Sequence, residues 1–451
     1  MRVALIYPYC SEYLLRISVR NHENFPSGLG YIAACLRQSG HTAAIFIPDS
    51  FHMPMDRVWR EIGIFNPDIA GISAVTRNFM EARRVTKEVK HRFACPVVMG
   101  GPHPTALPRA TLQGLPELDA VIAGEGELPM LALAAEFDKS GKIDFEKVPG
   151  AAFIKDGRYI ENQRPEPISD LDNLPYPAID LLNGEPAPLG NDKLITSRGC
   201  PGQCNFCANI CMGRKFRPHS PERVVAEIEH LTEKYGASYF HVMDDCFTAD
   251  NNRVHRICDL IISKKLKIAW TAAGRVNTLL DESLIIKMKR AGCVRVQLGI
   301  ETGSQSINNL IGKGTTLDMA EKCCGLLRKH GVESFNSFII GNEGETKETI
   351  KETIAFSKKL RSTISVFNIL IPFPGTSIFE KYYKEFDKPD MDWTGWCSQW
   401  PSRPYEPRQT QLSKATLWRY TVWAWLSYFC SPSQMLRIIC GAFKWLSVSK
   451  T

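Results

Sequence analysis

The chain lacks several features that would assign it to other classes of protein. No apolar run among its 451 residues reaches about 18 residues, the length that a membrane-spanning helix needs. It has no internal repeat of fixed period and no low-complexity segment, which argues against solenoids and disordered proteins. Its net charge of +7 is spread too thinly to indicate nucleic-acid binding. We therefore expect a globular protein of two or three domains.

We expect no secretory signal peptide, because the first residues go straight into a strand pattern. The 15 cysteines are therefore expected to be reduced thiols or metal ligands and not disulfides. The expected location is the cytoplasm.

Three closely spaced cysteines do stand out, in a turn rich in Gly and Pro after an apolar strand-like run. Cys200, Cys204 and Cys207 have the spacing C-x3-C-x2-C. Three such thiolates can bind three irons of a cubane iron–sulfur cluster and leave the fourth iron open to a non-protein ligand. Two alternatives are a zinc site with Cys211 as fourth ligand and a set of cysteines packed in the core.

Residues 1–140 alternate short apolar strands with helical patterns, which predicts an open parallel Rossmann-like (flavodoxin-like) α/β sheet. Ligands of such sheets bind at the carboxyl ends of the strands, where glycines let the backbone approach a bulky ligand. Expected strands are Val3–Tyr7, Ala43–Ile47, Ile69–Ser73, Val97–Met99 and Ala120–Ile122, with helices near 29–39, 54–64, 78–92 and 127–138. The candidate ligand-binding residues are Ser73, Gly100, Gly101, Gly124, Glu125 and Gly126, although ordinary tight turns would use the same residue types.

Residues 141–192 are predicted to be a linker that contains a hairpin around Asp156-Gly157. Residues 193–385 again alternate strands and helices, and six βα units indicate a partial (β/α)6 barrel with its chemistry at the carboxyl ends of the strands. Expected strands are 193–197, 237–243, 267–273, 294–300, 333–340 and 364–371, and expected helices are 221–235, 251–264, 281–291, 317–330 and 345–360.

Polar and glycine-rich segments follow these barrel strands and supply further candidate residues. The alternative to a functional role is a structural ion pair at the barrel rim for Asp244, Asp245 and Arg275, and a turn that starts a helix for Glu301. The candidates are Asp245, Arg275, Glu301, Gly341, Gly344 and Pro372.

The cysteine motif, with Phe206 in its aromatic position, resembles that of the radical S-adenosylmethionine (SAM) superfamily. The resemblance implies a [4Fe-4S] cluster on the three cysteines, SAM on its open iron, and an external electron donor of the flavodoxin or ferredoxin type. It also implies that Glu301 contacts the SAM ribose or amino group, that Gly341 and Gly344 pass the adenine and methionine parts, and that the backbone at 372–376 reaches the adenine. Arg275 would pair with the SAM carboxylate.

The N-terminal segment resembles the cobalamin-binding domain that precedes many radical SAM barrels, on the segments Pro26–Leu36, Gly100–Thr105 and Gly124–Glu127. By this resemblance Ser73, Gly100 and Gly101 line the cobalamin tail, and Gly124 to Gly126 lie near the corrin. The Asp-x-His-x-x-Gly motif that supplies a lower cobalt ligand is missing, and His22, Asp49, His52 and His103 do not replace it. We expect cobalamin without a histidine ligand, or a domain that has lost cobalamin.

Residues 386–451 are rich in tryptophan and contain helical patterns at 414–429 and 433–446. Two interpretations are a cap packed on the barrel and a peripheral membrane contact by these helices. A loop with Trp393, Trp396 and Trp400 would in addition shield a radical from water.

The domain order resembles that of cobalamin-dependent radical SAM enzymes such as the anaerobic porphyrin cyclases and the hopanoid and natural-product methylases. The first hypothesis is a methyltransferase that methylates an unactivated carbon through a 5′-deoxyadenosyl radical and methylcobalamin. The alternatives are an oxidative cyclase or rearrangement enzyme of the same family, and a non-catalytic iron–sulfur or zinc protein. The expected partner is a small-molecule substrate, apolar or planar, and not a nucleic acid.

Overall fold

The computed structural model describes residues 1–8, 26–48, 54–181, 193–209, 213–396, 405–431 and 434. Within it the chain forms two compact units. The first unit comprises Met1–Gly199, Cys207–Ala237 and Pro372–Cys397, and the second comprises Cys200–Phe206, Ser238–Ile371 and Ser398–Thr451. The units interleave along the chain, and the domain boundaries that the sequence suggests at 140, 192 and 385 stay a prediction.

The first unit is built on a seven-stranded sheet in the order β2-β1-β3-β4-β5-β6-β7. Pairing from β2 to β5 is parallel, and β6 and β7 add to the edge as an antiparallel hairpin. The hairpin that was predicted in a linker is therefore present but belongs to this sheet. The strands are β1 (Arg2–Ile6), β2 (Thr42–Phe46), β3 (Ile69–Ser73), β4 (Val97–Gly100), β5 (Ala120–Ile122), β6 (Ala151–Lys155) and β7 (Arg158–Glu161).

Helices and short loops connect the parallel strands, as expected for a sheet whose central strands are buried. The sequence predicted four of these helices, and the Pro-containing helices α4 and α5 were not predicted. The helices are α1 (Ser27–Gln38), α2 (Met55–Phe65), α3 (Phe79–Arg92), α4 (Pro102–Ala106), α5 (Pro108–Gln113) and α6 (Glu127–Ser140).

Four more elements follow the hairpin in the chain: β8 (Lys193–Leu194), β9 (Ser197–Arg198), β10 (Arg217–Pro218) and α7 (Pro221–Tyr235). Strands β9 and β10 pair with each other. Helix α7 begins where the Ser220 hydroxyl accepts a hydrogen bond from the Arg223 N–H at 3.1 Å, and it ends at the left-handed Gly236. Its bounds match the prediction of 221–235.

The second unit contains five adjacent parallel strands in the order β15-β14-β13-β12-β11. The partial barrel was predicted to have six, and its first predicted strand, 193–197, is divided into the two-residue strands β8 and β9. Its elements are β11 (Tyr239–Val242), α8 (Asn251–Ser263), β12 (Ala269–Gly274), α9 (Glu282–Arg290), β13 (Cys293–Glu301), α10 (Gln305–Ile311), α11 (Leu317–Lys329), β14 (Glu333–Ile340), α12 (Lys347–Lys359) and β15 (Ile364–Ile369). The other predicted barrel strands and helices are present with small shifts at their ends, and α10 was not predicted.

Helix α13 (Ser377–Tyr382) belongs to the first unit, and α14 (Lys414–Phe429) belongs to the second. Helix α14 packs on β15, where the Trp425 indole N–H donates to the Phe367 carbonyl at 2.9 Å. This is the cap that the sequence suggested. The second tail helix, predicted at 433–446, lies outside the described residues.

Among the described residues, no helix is both long and apolar enough to cross a membrane. Peripheral membrane contact by the tail stays a prediction.

Trp393 and Trp396 are each 3% exposed and pack with Phe379 in the first unit. These two indoles are core residues of the first unit, and the shielding of a radical by their loop stays a prediction. Trp400 lies outside the described residues.

Candidate functional site

The carboxyl ends of β3 and β4 form an edge that bears only small residues. Ser73, the last residue of β3, lies in register with Gly100, the last residue of β4. Gly101 has a φ of 102°, and a Cβ there would come within 2.5 Å of the Ala74 carbonyl oxygen. Only glycine fits this close approach of two backbone segments.

The neighbouring strand β5 extends the same edge. Gly124 follows it with a φ of 91°, and its N–H donates to the Thr105 hydroxyl at 3.0 Å. No atom lies within 4 Å of the position of a Cβ on Gly124, so the backbone is open on that side. The structure therefore brings Ser73, Gly100, Gly101 and Gly124 to one edge, and this small-residue cradle fits a large flat ligand such as cobalamin.

Glu125 is engaged by protein groups. Its carboxylate accepts hydrogen bonds from Arg217, at 2.5 and 3.1 Å, and from the Ile168 N–H at 3.1 Å, and Arg198 lies 3.3 Å away. Burial raises the pKa of this carboxyl, but the Arg217 hydrogen bonds and the Arg198 charge outweigh it and hold the pKa below its usual value. Gly126 packs against Ile32, since a Cβ there would come within 2.6 Å of Cδ1. Cofactor contact by Glu125 and Gly126 stays a prediction.

His103 is a buried core residue. It is 1% exposed, it stacks on Phe79 with ring centroids 3.8 Å apart, and its Nδ1 lies 3.1 Å from the Thr76 hydroxyl. Burial, aided by the Arg83 charge, lowers its pKa to about 3, so the ring is neutral. His22, Asp49 and His52 lie outside the described residues.

The three cysteines of the C-x3-C-x2-C motif are partly exposed in a loop without regular structure. Gly202 lies close to two side chains, because a Cβ there would be 2.5 Å from Arg275 Nη1 and 3.3 Å from Cys200 Sγ. Cys211, the fourth ligand in the zinc alternative, lies outside the described residues.

Cys200 differs from the buried cysteines in its ionisation. A hydrogen bond from the Cys246 thiol, with help from the Gly202 N–H and the Arg275 charge, lowers the pKa of the Cys200 thiol, whereas burial raises the pKa of Cys95 and Cys324 to about 11. Metal ligation needs the thiolate, so this donor set fits an iron–sulfur cluster by its chemistry. In the described ranges, no three His, Cys, Asp or Glu side chains are grouped closely enough to hold a metal ion, so the assignment of the three cysteines as ligands stays a prediction.

Glu301 ends β13 in a strained conformation. Its φ is 69°, and the register with β14 shifts between Gly299 and Glu301, so its side chain is aimed by a bulge. Its Oε1 accepts a hydrogen bond from Lys313 Nζ at 2.6 Å, and the two side chains are 8% and 6% exposed. A Cβ on Gly299 would lie within 2.1 Å of Glu301 Oε1, so glycine makes room for the pair.

Arg275 follows β12 and reaches the same loop as Lys313. Its Nη2 donates to the Lys313 carbonyl, and its Nε lies 3.4 Å from Asn277 Oδ1. The loop that carries Lys313 is thus held by Arg275 at its backbone and by Glu301 at its side chain. Arg275 and Glu301 thus both hold the loop of Lys313 at the carboxyl ends of the barrel strands, and their contact with SAM stays a prediction.

The turn after β14 contains Gly341 and Gly344, with φ values of 96° and 73°. Glu345 holds this turn, because its Oε2 accepts hydrogen bonds from the N–H groups of Gly341 and Asn342. Burial outweighs these hydrogen bonds and raises the pKa of Glu345 to about 7. Its Oε1 is buried without a hydrogen-bond partner.

The remaining predicted residues occupy less defined positions. Asp245 is exposed after β11, and its charge opposes ionisation of Cys200. Phe206 is half-buried in the cysteine loop, and Pro372 is buried ahead of α13.

Sequence reasoning missed three residues that the structure places here, namely Cys246, Lys313 and Glu345. The sequence does mark Lys313, because it lies between Gly312 and Gly314 shortly after the candidate Glu301 segment. In the structure these two glycines have φ values of 72° and 68°. Cys246 directly follows the candidate residue Asp245. Its hydrogen bond to Cys200 joins positions 46 residues apart, which no local pattern shows.

Two family models match the chain. The Radical SAM superfamily model matches residues 194–357, and the B12 binding domain model matches residues 14–134. The first match contains the cysteine loop and the strand ends with Arg275, Glu301 and Gly341, and the second contains the small-residue edge of the first sheet.

Two named proteins are similar to this chain along most of its length. An uncharacterized methyltransferase, PH0819, of Pyrococcus horikoshii is 35% identical over 84% of this chain and 83% of that protein. The anaerobic magnesium-protoporphyrin IX monomethyl ester cyclase of Rubrivivax gelatinosus is 30% identical over 79% of this chain and 66% of that protein.

Among solved structures, the radical SAM methyltransferase TsrM of Kitasatospora setae, with cobalamin and a [4Fe-4S] cluster bound, shares the fold. Its TM-score is 0.70 at 17% identity, over 85% of this chain and 75% of that one. With a three-cysteine loop, a cobalamin-type sheet edge and a relative 35% identical along most of its length, the chain belongs to the cobalamin-dependent enzymes of the radical SAM superfamily.

Proposed function

We propose that the protein transfers a methyl group to a carbon of a small-molecule acceptor. The observation that carries the proposal is that one chain has both the cradle at Ser73, Gly100, Gly101 and Gly124 and a cysteine loop beside the buried Glu301–Lys313 pair. The likeness to a named methyltransferase supports methyl transfer as the outcome.

In this proposal each set of residues holds one group. Cys200, Cys204 and Cys207 bind the cluster, and the first-unit edge from Ser73 to Gly126 binds cobalamin. SAM lies against Arg275, Glu301 and the 341–344 turn, with Phe206, Asp245 and Pro372 as further contacts. When bound, the cluster supplies the electron that splits SAM, and cobalamin carries the methyl group to be transferred.

The protein's own groups orient these molecules. Lys313 fixes one oxygen of the Glu301 carboxylate, and their burial keeps water away, which strengthens hydrogen bonds from a bound amino or hydroxyl group to Glu301. Arg275 presents guanidinium N–H donors that match a carboxylate. Glu345 accepts two backbone N–H bonds from the Gly341–Gly344 turn, which holds the turn in one conformation.

A second candidate function is oxidative cyclisation by the same radical chemistry. It is favoured by the 30% identity to the cyclase of Rubrivivax gelatinosus. The two functions differ in the fate of the methyl group, because a cyclase adds none to its product.

The test uses the full chain, purified without oxygen, loaded with iron, sulfide and cobalamin, and reduced by a flavodoxin. SAM with a deuterated methyl group is added, and the corrinoid and 5′-deoxyadenosine are analysed by mass spectrometry. We expect the label on the corrinoid and formation of 5′-deoxyadenosine. Label transfer to an added acceptor then completes the assay.

Cys204→Ala is the control, since it removes one cluster ligand and should abolish 5′-deoxyadenosine. A wild-type protein that forms 5′-deoxyadenosine but never labels the corrinoid would contradict methyl transfer and favour the cyclase. Zinc in place of iron in the oxygen-protected protein would contradict both.

A further inference from the structure

The second unit contains an apolar pocket of about 430 Å³ at the carboxyl end of β15. Its walls come from Ile369 at the end of β15, from Tyr405 and Pro407 in the following loop, and from Leu417 and Trp418 in the first turns of α14. This volume lies in the range of about 300–1,000 Å³ that is typical of small-molecule sites.

The walls of this pocket are held by hydrogen bonds to the neighbouring strands. The Tyr405 hydroxyl donates to the Leu370 carbonyl, and the Gln409 side-chain amide donates to the Gly341 carbonyl at 2.7 Å. The Thr410 hydroxyl donates to the Glu345 carbonyl at 3.0 Å. The pocket therefore exists before a ligand binds, which lowers the entropic cost of binding.

The pocket adjoins the turn that we assign to SAM. Leu417 lines the pocket, and its Cδ1 lies 3.2 Å from the position of a Cβ on Gly341. Strands β14 and β15 are neighbours in the sheet, so their carboxyl ends open on the same side. A molecule in the pocket is thus separated from the Gly341 backbone by a single side chain.

The chemistry of the walls selects the ligand. Trp418 is 46% exposed, although a large aromatic side chain gains free energy when it is covered. The charged residues at the pocket are Glu406 and Lys414, which carry opposite signs and give no net charge to attract a polyanion. An apolar molecule therefore suits this lining better than a nucleotide or sugar.

We propose that this pocket binds the apolar body of the methyl acceptor, so that the substrate is a hydrophobic small molecule held between Trp418 and Ile369. The inference rests on the proposed function for the identity of the ligand as substrate. The binding of an apolar molecule itself follows from the pocket alone.

The test measures binding of the neutral probe N-phenyl-1-naphthylamine to the full chain by fluorescence. Trp418→Ala removes one wall and should weaken binding about tenfold or more. Ala415→Trp adds bulk at a lining residue that is exposed to solvent, and it should weaken binding without disturbing the core. Trp423→Ala is the matched control, because Trp423 lies on the same helix, is 44% exposed and does not line the pocket.

Equal probe affinity in wild type, Trp418→Ala and Ala415→Trp would overturn the proposal. So would an absence of probe binding, which would mean that another segment of this chain or a second copy fills the pocket. Binding of cytidine monophosphate that depends on Trp418 would overturn the apolar substrate class. The assay needs neither cluster nor SAM, so failure of methyl transfer would show in the labelled-corrinoid experiment and leave these results unchanged.

Discussion

Lys313 Nζ lies 2.6 Å from Glu301 Oε1, and both side chains are almost fully buried. A buried ion pair adds little net stability over an apolar pair, but the loss of one partner leaves an uncompensated charge. The pair therefore makes the strained end of β13 dependent on a residue twelve positions later.

We first predict that Lys313→Met destabilises the second unit by about 3–5 kcal/mol, because Glu301 would be left buried and charged. SAM binding, measured by equilibrium dialysis, should weaken as well. Lys287→Met is the matched control, since the Lys287–Asp259 pair is exposed and such pairs contribute less than about 1 kcal/mol. Equal shifts of the unfolding midpoint in the two variants would contradict this prediction.

A second prediction concerns the reactivity of Cys200 in the cluster-free protein. Because its pKa is lowered, alkylation by iodoacetamide should reach half its maximal rate at a lower pH than it does for free cysteine. Cys246→Ala removes the first cause of the lowered pKa and should move this pH upward. Peptide mass spectrometry over a pH series measures both, and an unchanged profile in Cys246→Ala would argue against the hydrogen bond.

The third prediction uses the raised pKa of Glu345. Its carboxyl titrates near 4.5 when unfolded and near 7 when folded, so the folded state binds the extra proton between these values. Wild-type stability should therefore fall as pH rises from about 4.5 to 7, by roughly 3 kcal/mol from this group. Glu345→Gln removes this pH dependence. The unfolding midpoint of the variant, relative to that of wild type, should therefore rise as the pH increases from 5 to 8.

Glu348→Gln serves as the control for this pH series. The Glu348 pKa is lowered by hydrogen bonds at the start of α12, so its contribution to stability is present above the unfolded pKa and is lost in acid. The unfolding midpoint of Glu348→Gln, relative to that of wild type, should therefore fall as the pH increases. The same trend in both variants would refute the assignment for Glu345.

A fourth prediction tests the small-residue edge of the first sheet. Ser73→Tyr should reduce cobalamin retention by about tenfold or more, because the large side chain would occupy the space that Ser73 and Gly100 leave free. Retention is measured from the absorption spectrum after gel filtration, and circular dichroism checks the fold. Ser140→Tyr, at the exposed end of α6, should retain cobalamin like wild type. Full retention in Ser73→Tyr would move the ligand away from this edge.

Local patterns determined most of the secondary structure. The predicted strand Ile69–Ser73 and the predicted helices 221–235 and 414–429 agree with the structure residue by residue. Apolar periodicity and caps act over a few residues, so a single sequence reports them directly. The short helices α4 and α5 were missed because their prolines fit turns as well as first turns of helices.

The resemblance of the cysteine motif and of the N-terminal glycine-rich loops to known families was likewise enough to propose a radical SAM enzyme with cobalamin. Cys200, Glu301 and Gly341 could be predicted as candidate site residues from the sequence alone, because such residues lie close together in a motif or directly after a strand.

Only the tertiary structure decided the partners of these residues. The contacts of Glu301 with Lys313, of Cys200 with Cys246 and of Leu417 with Gly341 join parts of the chain that are 12 to 76 positions apart. It also decided that Trp396 is core while Trp418 lines a pocket, although both lie in one aromatic-rich region. The physical reason is that burial and long-range pairing depend on how strands and helices pack, and an individual tryptophan carries no local signal of which side will be covered.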